Sequence, residues 1–100
     1  GGPLLVAGLE AIVLVPICPH SLTHRPIVLR PETRIELTPT DLQPEAVCVL
    51  DGQKMIRMKP GDTVYIERAA STFLLVQNGS HSPFRTLIQK LHWGHLPKYT

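Results

Sequence analysis

Short apolar runs recur along most of the chain, and turn-forming residues separate them. The seven runs are residues 11–17, 26–30, 33–38, 45–50, 53–58, 63–68 and 72–77. They are rich in Val, Ile, Leu and Thr, which favour strands, whereas Pro, Gly and Asp cluster between them. This pattern predicts an all-β domain that closes as a sandwich or barrel.

Two of these runs alternate strictly between apolar and polar positions. Ile35 and Leu37 in one run, and Val64 and Ile66 in the other, are flanked by polar or charged residues. Successive side chains of a strand point to opposite faces, so each run predicts a strand with one buried and one wet face. Residues 11–15 do not alternate, which predicts a strand covered on both faces.

The end of the chain changes period. Phe84, Leu87, Ile88 and Leu91 are spaced as the apolar stripe of an amphipathic helix. Ser82 is placed to cap its N-terminus, with Pro83 as the first helical residue. Gly94 is the predicted stop, and Trp93 just before it is available to anchor the helix. The predicted fold is therefore β-sandwich-like with one C-terminal α-helix.

Length and composition limit the classes of protein to which this chain can belong. A chain of 100 residues with 43% hydrophobic residues predicts a single domain over residues 1–100 with a modest core. The net charge is +2, and the basic and acidic residues are scattered along the sequence and not grouped in blocks. Nucleic acid is therefore not an expected partner. No apolar run reaches the roughly 18 to 20 residues that cross a bilayer, so we expect no membrane association.

Cysteine usage indicates the compartment. Cys18 and Cys48 are too few for a disulfide scaffold and fit a reducing, cytoplasmic environment. A single bridge between them remains open from the sequence. We also expect the chain to be part of a longer protein, because it begins with Gly1 rather than Met.

The segment of residues 16–29 reads PICPHSLTHRPIVL and is the most constrained part of the sequence. Its three prolines restrict the backbone before each of them and cannot donate ladder hydrogen bonds, so it predicts a shaped turn between two strands. Cys18, His20 and His24 invite comparison with a metal site, but a structural zinc site needs four ligands and no second cluster lies nearby. We therefore expect no metal site.

Two other interpretations of this segment concern the thiol. Cys18 as a nucleophile would need an activating base, and His20, two residues away across a proline, is poorly placed for that role. Spacing alone favours Cys18 as a packed thiol and the histidines as caps of backbone carbonyls.

Asp51-Gly52 separates two apolar runs. Asp-Gly is a strong signal for a two-residue hairpin, because both central positions of a type I′ turn have positive φ. Turn geometry alone is sufficient to explain the pair.

Six blocks together resemble the C-terminal domain of NAD kinases. They are GGP at 1–3, LVPICPHSL at 14–22, RPIV at 25–28, DGQ at 51–53, GDTVYI at 61–66 and KLHWG at 90–94. The resemblance covers nearly the whole chain, and the order of the blocks is more specific than any one of them. It implies an enzyme that phosphorylates the adenosine ribose of NAD to give NADP, with Mg²⁺ and with ATP or polyphosphate as phosphate donor.

The resemblance also assigns site residues. It implies that Gln53 contacts NAD and that Gly52, beside Asp51, faces the pocket. A glutamine amide donates and accepts hydrogen bonds, and a glycine lets a ribose or phosphate approach the backbone. Cys18 and His20 would reach the pocket of a neighbouring subunit, which implies a homodimer or homotetramer with NAD and ATP as ligands.

The catalytic groups of the family have no counterpart here. Its GGDGT motif with the catalytic Asp, its Asn-Glu pair and its Thr-Ala-Tyr segment would precede Gly1, so we expect no catalytic residue in this chain and no activity from it alone. Two alternatives stay open, namely the C-terminal domain of a diacylglycerol- or sphingosine-type lipid kinase, and a non-catalytic oligomerisation module.

Overall fold

The computed structural model describes residues 1–40, 45–76, 79 and 82–98. In this part of the chain the elements are six strands followed by one helix. They are β1 (Ile12–Leu14), β2 (Ile27–Leu29), β3 (Ile35–Leu37), β4 (Val47–Leu50), β5 (Lys54–Arg57), β6 (Val64–Ile66) and α1 (Pro83–Leu91). The predicted all-β class with one C-terminal helix is confirmed. The strands form three two-stranded antiparallel sheets, β1-β2, β3-β6 and β4-β5.

The two strictly alternating runs pair with each other as β3 and β6. Ile35 lies opposite Ile66 and Leu37 opposite Val64, so the four predicted inward residues share one face. Ile35 is buried and Val64 is half-buried. On the opposite face the guanidinium carbon of Arg34 lies 4.5 Å from the centre of the Tyr65 ring, a cation–π contact. The predicted alternation of faces is confirmed, but the apolar face is only partly buried, because Leu37 and Ile66 are 42% and 36% exposed.

β1 and β2 form the second pair, with Val13 opposite Val28. Every residue of β1 is half-buried. Side chains of a strand alternate between its two faces, so both faces of β1 are partly covered. This agrees in direction with the cover on both faces that the uniformly apolar sequence predicts. The connection between β1 and β2 is the proline-rich segment.

β4 and β5 form a hairpin with a continuous register from Val47 opposite Arg57 to Leu50 opposite Lys54. The N–H of Met58 donates to the carbonyl of Ala46 at 2.9 Å and extends the ladder by one step. Most residues of this hairpin are exposed.

The turn that leads towards β6 follows its sequence signal. The Asp62 N–H donates to the Lys59 carbonyl at 3.0 Å, and an Asp62 carboxylate oxygen accepts from the Lys59 N–H at 2.6 Å. Pro60 and Gly61, with φ of 87° at Gly61, fit the central positions of a type II turn.

The helix begins where the sequence predicts and ends earlier. Ser82 is the N-cap residue, although its side chain makes no capping hydrogen bond, and Pro83 opens the helix. The predicted stop at Gly94 is wrong, because His92 already adopts the left-handed conformation with φ of 54°. The His92 and Trp93 N–H groups both donate to the Leu87 carbonyl, which closes the last turn.

The predicted strand at residues 72–77 is not confirmed in its described part. Residues 72–76 form no strand, and Gln77 lies outside the described residues. Phe73 and Val76 are 89% and 96% exposed. A strand needs a partner ladder, and apolar composition alone does not supply one.

Burial is sparse in the described part of the chain. Ile35, at 9% exposure, is its only buried hydrophobic residue. The radius of gyration is 17.6 Å, against about 13 Å for a compact domain of this length. Large side chains of every strand pair and of the helix are exposed, so the chain presents far more apolar surface than an independent domain retains.

Candidate functional site

The predicted site residues lie on two hairpins. Asp51, Gly52 and Gln53 form the tip between β4 and β5, whereas Cys18 and His20 lie in the connection between β1 and β2. All five are exposed. No hydrogen bond joins the two groups within the described ranges.

The β4–β5 tip has the backbone geometry that Asp-Gly predicts. Asp51 and Gly52 have φ of 50° and 67°, and the Gln53 N–H donates to the Leu50 carbonyl at 3.0 Å. The loop is one residue longer than the predicted two-residue hairpin, because Leu50 pairs with Lys54 and leaves Gln53 outside the ladder. Gln53 therefore stands at the tip with its side chain unconstrained by strand pairing.

Gly52 leaves open space at this tip. A Cβ built on Gly52 would meet no heavy atom within 4 Å. The glycine is required by its positive φ and not by a close internal contact, so the backbone is approachable from outside.

The β1–β2 connection is organised by short-range hydrogen bonds. The Ser21 and Thr23 hydroxyl oxygens are 2.6 Å apart, and the Thr23 N–H donates to Ser21 Oγ at 3.2 Å. The His24 N–H donates to the Ser21 carbonyl at 3.3 Å. These bonds form a turn directly after His20 and limit the paths by which the chain can return to β2.

Cys18 has an unusual backbone conformation. Its φ is 50°, a left-handed value that is costly for a residue other than Gly, Asn or Asp, and Pro19 after it restricts it further. Both cysteines are free, with Cys18 exposed and Cys48 half-buried, so the bridge left open by the sequence is not formed. No sequence signal had marked Cys18 for positive φ.

Gly2 lies against Val15, the residue that follows β1. Gly2 has φ of 112°, and a Cβ there would lie 2.8 Å from Val15 Cγ2. The positive φ and this close approach favour glycine at position 2, which lies beside the start of the proline-rich connection.

A groove that the sequence did not predict lies between the start of β1 and the end of β6. Its volume is about 330 Å³, and its lining includes Ile12, Pro31 and Ile66. Across it the Arg68 guanidinium donates to both carboxylate oxygens of Glu10, at 3.2 and 3.3 Å. The two residues are far apart in sequence, so periodicity could not have paired them.

Among the described residues, no three His, Cys, Asp or Glu side chains are grouped to hold a metal ion. In the same part of the chain, no helix has the length and apolar character to cross a bilayer.

Known proteins resemble this chain over nearly all its length. The model of the ATP-NAD kinase C-terminal domain matches residues 1–78. A protein named NAD kinase from Thiobacillus denitrificans is 47% identical over 94 residues, which are 94% of this chain and 32% of that protein. NAD kinases from Rhodopirellula baltica and Geobacter sulfurreducens are 41% and 40% identical over 94% and 93% of this chain, and 30% and 33% of their own lengths.

The match is confined to one part of these proteins. The chain spans about a third of the length of the curated relatives it matches. No solved structure matches it significantly. Because the family model covers more than half of the chain, the chain belongs to the ATP-NAD kinase family and corresponds to its C-terminal domain.

Proposed function

We propose that this chain is the NAD-binding and subunit-interface part of an NAD kinase. The parent enzyme would transfer a phosphoryl group from ATP, or from polyphosphate, to the 2′-hydroxyl of the adenosine ribose of NAD and so produce NADP. The observation that carries this proposal is the 38–47% identity to proteins named NAD kinase, together with the family match over residues 1–78.

The β4–β5 tip is the proposed contact with NAD. The Gln53 side chain is exposed and outside the ladder, so its amide is available to donate to and accept from one ligand. Gly52 beside it has no neighbour on its Cβ side, which lets a ribose or phosphate approach the backbone. Asp51 holds the other positive φ that the turn requires and lies at the edge of the same site.

Cys18 and His20 are proposed to complete the site of a neighbouring subunit. Both are exposed, and the turn at Ser21–Thr23 fixes the backbone directly after them. A loop whose turn is already formed loses less conformational entropy when it enters a second subunit. This arrangement requires a homodimer or homotetramer of the parent.

The exposed apolar surface supports assembly with more protein. The helix side chains Phe84, Ile88 and Leu91 are all exposed, as is Phe73 before the helix. Burial of apolar area is the main favourable term in association. Light scattering of the full-length parent should give the mass of a dimer or larger, and a monomeric mass would contradict the composite site.

This chain would bind and orient but not catalyse. Phosphoryl transfer requires positioned phosphates, a magnesium ion and a group that orients the attacking hydroxyl. We assign those groups to the rest of the parent enzyme, and we place that enzyme in the cytoplasm, where the two free thiols would stay reduced.

The decisive experiment is NADP formation by the full-length parent. NAD, Mg²⁺ and either ATP or polyphosphate are supplied, and NADP is detected with an NADP-specific dehydrogenase. The 100-residue chain is the matched control. We expect activity from the parent and none from the chain alone. No activity with either donor would refute the proposed reaction, and activity of the chain alone would refute the assignment of catalysis to the rest of the enzyme.

A further inference from the structure

The turn that follows α1 brings two histidines together. His92 ends the helix in a left-handed conformation, and the His95 N–H donates to the His92 carbonyl at 3.0 Å. The residues between them are Trp93 and Gly94, and Gly94 has φ of 80°. The backbone of this turn is therefore held by a hydrogen bond and by two positive-φ residues.

The two imidazoles are separated by a distance that suits a shared cation. Their ring centres are 5.3 Å apart, and the rings are tilted by 45°. When two imidazoles bind one tetrahedral zinc ion at Zn–N distances of about 2.0 Å, their ring centres lie roughly 5 Å apart. Both histidines are exposed, so a cation has access to them.

The C-terminal end of α1 favours a bound cation electrostatically. The C-terminus of a helix carries a partial negative charge from its last carbonyl groups, and cations near it are stabilised. Lys90, in the last turn of α1, opposes a further positive charge. We therefore expect a site of moderate affinity.

We propose that His92 and His95 form a two-histidine site for a divalent transition-metal cation, for which Zn²⁺ and Ni²⁺ are suitable probes. Imidazole nitrogen is a favoured ligand of these ions. No third His, Cys, Asp or Glu joins the pair in the described ranges, so water would complete the coordination. The site would fix the turn after α1 by joining its first and last residues, and it is independent of NAD binding.

Tryptophan fluorescence can report the binding directly. Trp93 lies between the two histidines and is the only tryptophan of the chain. Ni²⁺ has unpaired electrons and quenches a nearby indole, whereas Zn²⁺ has a filled d shell and serves as a competitor. We expect saturable quenching of the Trp93 signal when Ni²⁺ is added to the full-length parent, measured as the difference from a Trp93→Phe variant, and its reversal by Zn²⁺ or by a chelator.

Variants separate this site from unspecific binding. His95→Gln removes one ligand outside the helix, and His92→Asn removes the other with a residue that tolerates the left-handed conformation. Loss of an outer-shell partner alone costs 10–100-fold in metal affinity, so loss of a ligand should weaken Ni²⁺ binding at least about tenfold in each variant. His24→Gln, an exposed histidine of the β1–β2 connection, is the matched control and should bind as the unmodified chain does.

Three outcomes would overturn the site. These are no saturable quenching up to roughly millimolar Ni²⁺, unchanged affinity in both pair variants, and an equal loss in His24→Gln. Circular dichroism checks that α1 remains, and if His92→Asn loses the helix, His95→Gln alone decides.

Discussion

The hairpins β1–β2 and β4–β5 both carry predicted site residues, but they are held in different ways. The β4–β5 tip spans three residues, Asp51 to Gln53, and its geometry follows from positive φ and one hydrogen bond to Leu50. The β1–β2 connection is longer and is shaped by prolines, by a hydroxyl pair and by contacts at its base.

The difference lies in which contacts each hairpin needs. The ion pair Glu45–Arg57 lies within the β4–β5 hairpin itself. The ion pair Glu10–Arg68 ties the start of β1 to the residues after β6, and Gly2 packs against Val15 at the other end of the strand. Local chemistry thus determines one site-bearing loop, whereas the other depends on distant parts of the chain. Substitutions in the first should have effects confined to it.

Gly52→Val should have the largest effect. A β-branched residue at φ of 67° adopts a conformation that costs about 2 kcal/mol, which corresponds to roughly thirtyfold faster exchange of the Gln53 amide hydrogen. No atom lies within 4 Å of the added Cβ, so backbone strain is the cause. Hydrogen exchange measures the change.

Asp51→Gly is the control for this strain. It keeps the positive φ at no steric cost, so protection of the Gln53 amide should stay close to that of the unmodified chain. Equal exchange rates in Gly52→Val and the unmodified chain would show that the tip does not depend on its left-handed residues.

Gln53→Ala should weaken NAD binding without affecting the hairpin. The loss of one or two hydrogen bonds is worth about 1.4 kcal/mol, or roughly tenfold in Kd for the full-length parent. The β4–β5 ladder should persist, because Gln53 is exposed and not paired in it. Calorimetric titration with NAD gives the affinity.

Gln89→Ala removes the same chemical group from an exposed position on α1 and is the matched control. Unchanged NAD affinity in Gln53→Ala, or an equal loss in both variants, would remove Gln53 from the proposed site.

Sequence reasoning succeeded where the determining interactions are local. Asp51-Gly52 predicted the left-handed tip, and alternation predicted which residues of β3 and β6 share a face but not that Leu37 and Ile66 are exposed. Alternation could not choose the partner of β3, because pairing depends on where intervening segments place each strand. The sequence also did not predict that Gln53 belongs to the loop, because the Asp-Gly dipeptide occurs in hairpin loops of different length.

The remaining errors also concern features that the local sequence does not determine. Gly94 is a good stop signal, but the helix ends two residues earlier because His92 already has left-handed backbone. The run at residues 72–76 has strand composition without a ladder. No residue preference indicates positive φ at Cys18, and Pro19 after it favours extended backbone instead. The Glu10–Arg68 pair depends on the tertiary arrangement alone.

Cys18→Asn tests whether the longer connection stores strain. Asn adopts left-handed backbone readily, so the substitution should stabilise the β1–β2 hairpin by about 1 kcal/mol. Hydrogen exchange of the backbone amides of β1 and β2 measures the gain. Cys18→Ala keeps the strain and should leave their exchange unchanged. Faster exchange in Cys18→Asn would mean that the thiol itself supports the connection.

The smallest expected effects concern the two ion pairs, and they test most directly how each hairpin is held. Exposed pairs contribute about 0.2–1 kcal/mol, because solvent and salt screen them. Double-mutant cycles that combine Glu10→Gln with Arg68→Met, and Glu45→Gln with Arg57→Met, measure each coupling free energy by urea unfolding of the full-length parent.

We expect the larger coupling for Glu10–Arg68, at about 0.5 kcal/mol or more. Its guanidinium reaches both carboxylate oxygens, and its side chains are 66% and 48% exposed, against 71% and 82% for Glu45 and Arg57. Bidentate geometry strengthens such a pair and lower exposure reduces its screening. Raising the salt concentration should lower both couplings. A larger coupling for Glu45–Arg57 would mean that β1 does not depend on the Arg68 contact, and the distinction between a locally and a distantly supported hairpin would then rest on Gly2 and Val15 alone.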